Sequence, residues 1–222
     1  MQDAPIATSK RHETRLFATL AVIALPTILA FLPERYQFVP RAAKVVIALG
    51  LAIPMLLAEF APLNHRWQRL ERRAAAILLP VALGFELVLL TVLLRDMALP
   101  HSKLSGMTLL TTSISIWSTN ILIFALAYWQ LDRGGPTGRM IGWSGRADFT
   151  FPRGDPGDGV PEDWQPIFAD YFALAFNTSA AFSPTDVLPL TPRAKTLMTL
   201  QSIISLVTVI AVGARAINIL GS

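Results

Sequence analysis

The chain has 222 residues, 53% hydrophobic and 15% charged, with a mean hydropathy of +0.49; a soluble domain carries about a quarter charged residues, so these values point to an integral membrane protein. The absence of cysteine excludes disulfides, thiolate catalysis and thiolate metal sites together. A net charge of +4 would raise nucleic acid as a partner in a soluble protein, but the basic residues here flank apolar runs, where they set topology in a bilayer, and no nucleic-acid partner is expected.

Residues 1–14 form a polar tail. The first apolar run, 16–32, follows Lys10, Arg11 and Arg15 as a signal segment would, yet Phe31-Leu32-Pro33-Glu34 lacks the small residues of a cleavage site, so the run is read as a span. A hydrocarbon core of about 30 Å needs roughly 17 to 25 apolar residues. The runs 45–60, 74–94, 107–129 and 197–220 meet or approach that length, giving about five spans, of which the second is the shortest. Pro33 and Pro40 bracket the first turn. Between the second and third runs, Asn64 to Arg73 reads NHRWQRLERR, a basic linker of the kind retained in the cytoplasm.

The predicted organisation is a four-span bundle over 15–131, an extramembrane Gly/Pro/Asp loop over 132–166, and a re-entrant half-helix, polar loop and last span over 167–222. In the loop, residues 146–151 alternate as a small strand does, and Asp155-Pro156-Gly157-Asp158-Gly159 is turn chemistry; the predicted result is a compact loop able to form a hairpin. The same turn lacks the spaced oxygen donors and terminal glutamate of a calcium loop. His12, His65 and His101 are isolated, so no metal and no cofactor is expected. With no nucleophile beside a base and no phosphate loop, the chain does not read as an enzyme.

Three groups of polar residues fall at membrane depth, where each polar atom needs a partner. Glu86 sits mid-run between Phe85 and Leu87, either facing a cavity or protonated and hydrogen-bonded to a neighbour. In the last span Gln201, Ser205, Thr208 and Arg215 recur at helical spacing on one face, which suits a water-lined pathway or a hydrogen-bonded seam. Thr111, Thr112, Ser113, Ser115, Ser118, Thr119 and Asn120 crowd the first half of the fourth span and favour close helix packing.

The order from Asp170 to Asn218, amphipathic helix, polar loop and long apolar helix, resembles the potassium-channel pore module. Laid along T-V-G-Y-G-D-x-x-P, Asp186 and Pro189 match while both glycines and the tyrosine are absent. Asn177, Thr178, Ser179, Ser183, Thr185 and Asp186 are the pore-loop candidates, and without the glycines no ladder of inward carbonyls can form. Asp186 is expected to cap or clamp the turn before the last span, held by Trp164, Arg193 or a backbone amide. A broader resemblance, carried by Asp148, Phe149, Pro152, Asp170, Tyr171, Phe172, Phe182, Ser183 and Asp186, is to a family of small bacterial membrane proteins with a domain of unknown function; it implies the same order of parts and no assigned activity.

The basic residues put Lys10, Arg11, Arg15, the Arg66 to Arg73 cluster and Arg133, Arg139, Arg146 and Arg153 on one side, predicting a cytoplasmic N-terminus and a re-entrant loop inverted relative to a potassium channel. The resulting expectation is a homo-oligomeric protein of a bacterial inner membrane that passes a monovalent ion or small solute with weak selectivity. A non-conducting scaffold or partner subunit is the alternative reading, and a proton-coupled transporter using Glu86 is the third.

Overall fold

The computed structural model describes residues 15–60, 64–98, 105–141, 144–152, 164–180 and 186–220, the side chains of Arg41 and 214–220 excepted. Its helices are α1 (Leu16–Ala30), α2 (Arg41–Phe60), α3 (His65–Ala98), α4 (Gly106–Leu131), α5 (Gly135–Ile141), α6 (Phe168–Ala180) and α7 (Pro192–Leu220); β1 (Phe149–Thr150) pairs antiparallel with β2 (Leu188–Pro189). Four of the helices, α2, α3, the α4 segment and α7, are long and apolar enough to cross a bilayer. This is an all-α, multi-pass membrane protein. Helices dominate because lipid offers no partner to a backbone N–H or C=O, so each segment must satisfy its own. Val46, Ile53, Ile77, Val81, Ile114, Ile203, Leu206 and Val209 point outward, a surface suited to acyl chains.

α4 is the central helix, buried along most of its length between α1, α3, α6 and α7. Its start is capped by Ser105, whose Oγ accepts from the Thr108 amide at 3.1 Å. Thr112, Ser115 and Thr119 each turn their hydroxyl onto the carbonyl four residues back at 2.8 Å. The hydroxyl cluster thus presents small, self-satisfied surfaces that neighbouring helices can approach closely.

α1 stops two residues short of the 16–32 run, because Pro33 cannot continue a helix and disfavours helical geometry at Leu32. At 1.5 Å per residue its 15 residues span about 22 Å. The chain nevertheless passes from one end of the bundle to the other. Arg15 at its start bonds Glu71 at 3.1 Å, while Arg35 and Tyr36 just past its end bond Asp96 at 2.7 and 3.0 Å. Burial and then the Asp96 carboxylate push the Tyr36 phenol up to about 12, so it stays a donor to Asp96 throughout the ordinary pH range. α2 begins at Arg41 and has 20 residues, more than its apolar run, and is the shortest of the four helices long enough to cross, in line with its reading as the shortest span.

The basic Asn64 to Arg73 segment is not a loop: from His65 it forms the first turns of α3, whose 34 residues span about 51 Å and overshoot the hydrocarbon core. Arg72 meets the Gly134 carbonyl at 2.9 Å, and Arg15 reaches Thr137, which gathers the first turns of α1 and α3 and the α4–α5 turn at one end. That turn runs through positive φ at Arg133, Gly134 and Gly135. A Cβ at Gly135 would lie 2.9 Å from the Gln130 carbonyl oxygen, so only glycine fits there.

The alternation at 146–151 does become a strand at Phe149–Thr150, but its partner is Leu188–Pro189, beyond α6, and not a neighbour in its own loop. The Asp155 to Gly159 turn lies outside the described residues.

Candidate functional site

α6 is a half-helix that enters the bundle and does not cross it. Its start is tied down by Asp170, which accepts from the Ile167 amide at 2.8 Å, and by Tyr171, which donates to Asp132 at 2.7 Å. Asp132 is fully buried at the end of α4 and also accepts from the Asp148 and Phe149 amides at 2.7 and 3.3 Å. Arg139 lies over the Trp129 and Tyr171 rings and donates to the Trp129 and Asp132 carbonyls, both at 3.0 Å. From this anchored end α6 rises about 20 Å to Ala180, level with Asn120 in the interior of α4. By Leu188–Pro189 the chain is back beside Phe149–Thr150, next to Asp148.

A helix that ends inside a bundle leaves carbonyls without partners. Here α7 meets one of them, as Ser205 Oγ donates to the Ser179 carbonyl at 2.5 Å, and Gln201 Nε2 adds a bond to the Ala175 carbonyl, one turn further back, at 2.8 Å. Gln201 also donates to Ser179 Oγ at 2.8 Å and accepts from the Tyr128 hydroxyl at 2.5 Å, while Ser179 Oγ donates to Asn120 Oδ1 at 3.0 Å. A continuous run of hydrogen bonds therefore leads from Tyr128 through Gln201 and Ser179 to Asn120. Thr208 is buried and bonds its own helix at Ile204. The polar face of α7 is thus the seam, directed into its own bundle.

At the far end of that run stands Glu86. It is 2% exposed, with Asn120 and Thr119 of α4 as its neighbouring donors, and neither carboxylate oxygen meets a donor within hydrogen-bond geometry. Thr119 spends its hydroxyl proton on its own helix, and Asn120, whose Oδ1 faces Ser179, has an Nδ2 without an acceptor. Glu86 also lines a cavity of about 170 Å³ among α1 to α4, otherwise apolar except for Thr119 and Lys44, whose Nζ donates to the Leu29 carbonyl at 3.2 Å. An unpartnered carboxyl, the free face of an amide and the carbonyl-bearing end of a half-helix converge here. The carboxyl and the carbonyl-bearing helix end favour a proton or a small cation over an anion, while the Asn120 amide, a donor, suits the carboxyl itself.

Of the pore-loop candidates, Ser179 belongs to this run, Thr178 bonds the Leu174 carbonyl at 2.7 Å and Asn177 is half-buried on α6. Ser183 and Thr185, and the side chain of Arg215, lie outside the described residues. Asp186 is exposed, and among the described residues the turn is clamped elsewhere. Arg193, one of its expected partners, is taken by Asp148, which is fully buried and receives Nε and Nη2 at 2.6 and 2.5 Å together with the Thr191 hydroxyl. The Asp148 carbonyl also accepts from the Leu190 amide at 2.7 Å. The clamp exists, then, but its acceptor is Asp148, the residue before β1, and not a residue of the loop itself. Asp186→Ala should accordingly leave the melting temperature of the purified protein unchanged, as is usual for exposed positions; a large drop would restore the expected clamp.

Asp132 and Tyr128 were not singled out from the sequence. An aspartate at the end of an apolar run ordinarily reaches water, and a tyrosine there ordinarily sits in the interfacial belt. The Gly134-Gly135 pair after Asp132 was the available signal that the chain folds back over it.

The arrangement defines a multi-pass membrane protein with a re-entrant half-helix and a buried carboxyl. No family model, curated protein or solved structure matches this chain.

Proposed function

We propose that this integral membrane protein passes protons or a small monovalent cation through its own bundle, with Glu86 as the exchangeable site. The observation that carries the reading is the Glu86 carboxyl, buried inside the bundle with no partner, opposite the free amide of Asn120. A lone buried carboxylate is costly, so the group persists where it takes up and releases a proton or cation. The end of α6 adds a favourable dipole, as broken helices do in transporters. A homo-oligomeric pore lined by α7 is the second reading, supported by the pore-loop order of parts; against it, Gln201, Ser205 and Thr208 are occupied inside one chain. A catalytic role forms no part of either reading.

The test is proton and cation flux into proteoliposomes under an imposed potential, with wild type beside Glu86→Gln. Wild type should acidify the lumen, Glu86→Gln should remove that flux with the protein still folded, and sodium and potassium should pass nearly alike because the filter glycines are missing. Absence of flux from folded wild type would overturn the reading in favour of a scaffold.

The proposed location is a bacterial inner membrane with a cytoplasmic N-terminus, since Arg15, Arg72, Arg133 and Arg139 gather at one end of the bundle. Because the chain has no cysteine, Ser9→Cys and Ser102→Cys are clean reporters. In intact cells an impermeant maleimide should label position 102 and spare position 9; the reverse pattern would invert the topology.

A further inference from the structure

A second cavity, of about 520 Å³, opens between α3, α4 and α7, and no step of the proposed proton path uses it. α7 packs on α4 and α6 but touches α3 only sparsely, so the groove is a lateral cleft in the membrane-facing surface. Its lining is graded. Arg72, Arg193 and Gln130 lie at one end, and Leu79, Leu83 and Leu197 continue the wall into the bundle. From Arg72 to Leu83 the wall runs about 16 Å along α3, longer than a headgroup and suited to part of an acyl chain.

The charged end keeps donors in reserve. Arg72 is exposed and spends only one Nη2 hydrogen bond, on the Gly134 carbonyl. Arg193 is 56% exposed, and Asp148 occupies its Nε and Nη2, which leaves the Nη1 side open. Arg66, Arg69 and Arg73, exposed on the first turns of the same helix, add positive potential at this end. Guanidinium pairs recognise phosphate, and a basic pocket that gives way to an apolar groove between spans matches an anionic lipid at both of its ends.

We propose that the cleft between α3, α4 and α7 is a binding site for an anionic phospholipid, its phosphate between Arg72 and Arg193 and one acyl chain along Leu79, Leu83 and Leu197. The bilayer is the source, because a free phosphate would leave the apolar wall uncovered.

Native mass spectrometry of the detergent-solubilised full chain tests this, with phosphatidylglycerol and phosphatidylcholine titrated separately and inorganic phosphate as competitor. Wild type should retain phosphatidylglycerol in preference to phosphatidylcholine. Arg72→Gln should weaken phosphatidylglycerol roughly fivefold, the effect of one arginine near a lipid phosphate, and phosphatidylcholine less, because its choline cation offsets the phosphate the two lipids share. Ala76→Trp, at an exposed position on the groove wall, should weaken both lipids by filling the chain path. Equal retention of the two lipids, indifference to Arg72→Gln, or displacement of the lipid by inorganic phosphate would each overturn the proposal.

Discussion

Replacing Asp132 by alanine is expected to cost the fold roughly 3–5 kcal/mol, the range seen when one partner is removed from a buried charged network. Its carboxylate is the shared acceptor for the Tyr171 hydroxyl and for the amides of Asp148 and Phe149. Alanine leaves those donors buried without water, at about 1–3 kcal/mol each where the site cannot relax. It also releases α6 from α4 at the point where the half-helix enters, and frees β1 from the end of α4. Against a total stability of about 5–15 kcal/mol the loss is large. Asp132→Asn should be milder, because one oxygen remains for the Asp148 and Phe149 amides and the Tyr171 hydroxyl can turn to accept. Thermal unfolding in detergent checks the order: at about 2–4 °C per kcal/mol for a chain of this size, Asp132→Ala should melt at least about 6 °C below wild type, with Asp132→Asn between them. A variant that melts with wild type would mean that Arg139 and the aromatic stack hold the half-helix without the carboxylate.

The spans were legible because membrane thickness sets a length that composition alone reveals, and α6 was legible because Phe168, Tyr171, Phe172, Leu174 and Phe176 are apolar while the polar stretch from Asn177 cannot continue in lipid. The structure buries Phe168, Tyr171 and Leu174 and leaves Phe172 and Phe176 exposed. The periodic polar face of α7 was equally legible, but its use was not. Whether Gln201 meets water or a carbonyl depends on where α6 ends, and Ala175 is 26 residues away in the chain. Asp186 and Asp148 make the same point. The turn before the last span was expected to be clamped by Asp186, because local reasoning favours the nearest aspartate. Tertiary packing supplied Asp148, 43 residues from Thr191, because β1 and β2 lie side by side. Helix boundaries shifted for local reasons, at Pro33 for α1 and at the basic start of α3, where an arginine-rich segment read as a linker is good helix-forming sequence.

Glu86→Leu is expected to raise stability while removing the proposed flux. The two carboxylate oxygens are buried without a partner, at a cost of about 1–3 kcal/mol relative to an apolar side chain of similar shape, more if the group is charged. Leucine fits the surroundings, since Phe85, Leu89, Leu79 and Ile123 line the same cavity, and it removes the unsatisfied atoms outright. A carboxyl kept only for architecture would behave oppositely, because its loss would strand a donor. Among the described residues the donors beside Glu86 are the Thr119 hydroxyl, which is spent on its own helix, and the Asn120 amide, which has no acceptor within hydrogen-bond geometry. The unfolded chain within detergent or lipid also finds partners for a carboxyl, so the gain should lie toward the lower end of that range. Unfolding of Glu86→Leu beside wild type, with flux read on the same preparations, separates the two roles: a higher melting temperature with no flux marks a site whose stability has been traded for function. A lower melting temperature would show that Glu86 holds the bundle together and would move the functional centre elsewhere.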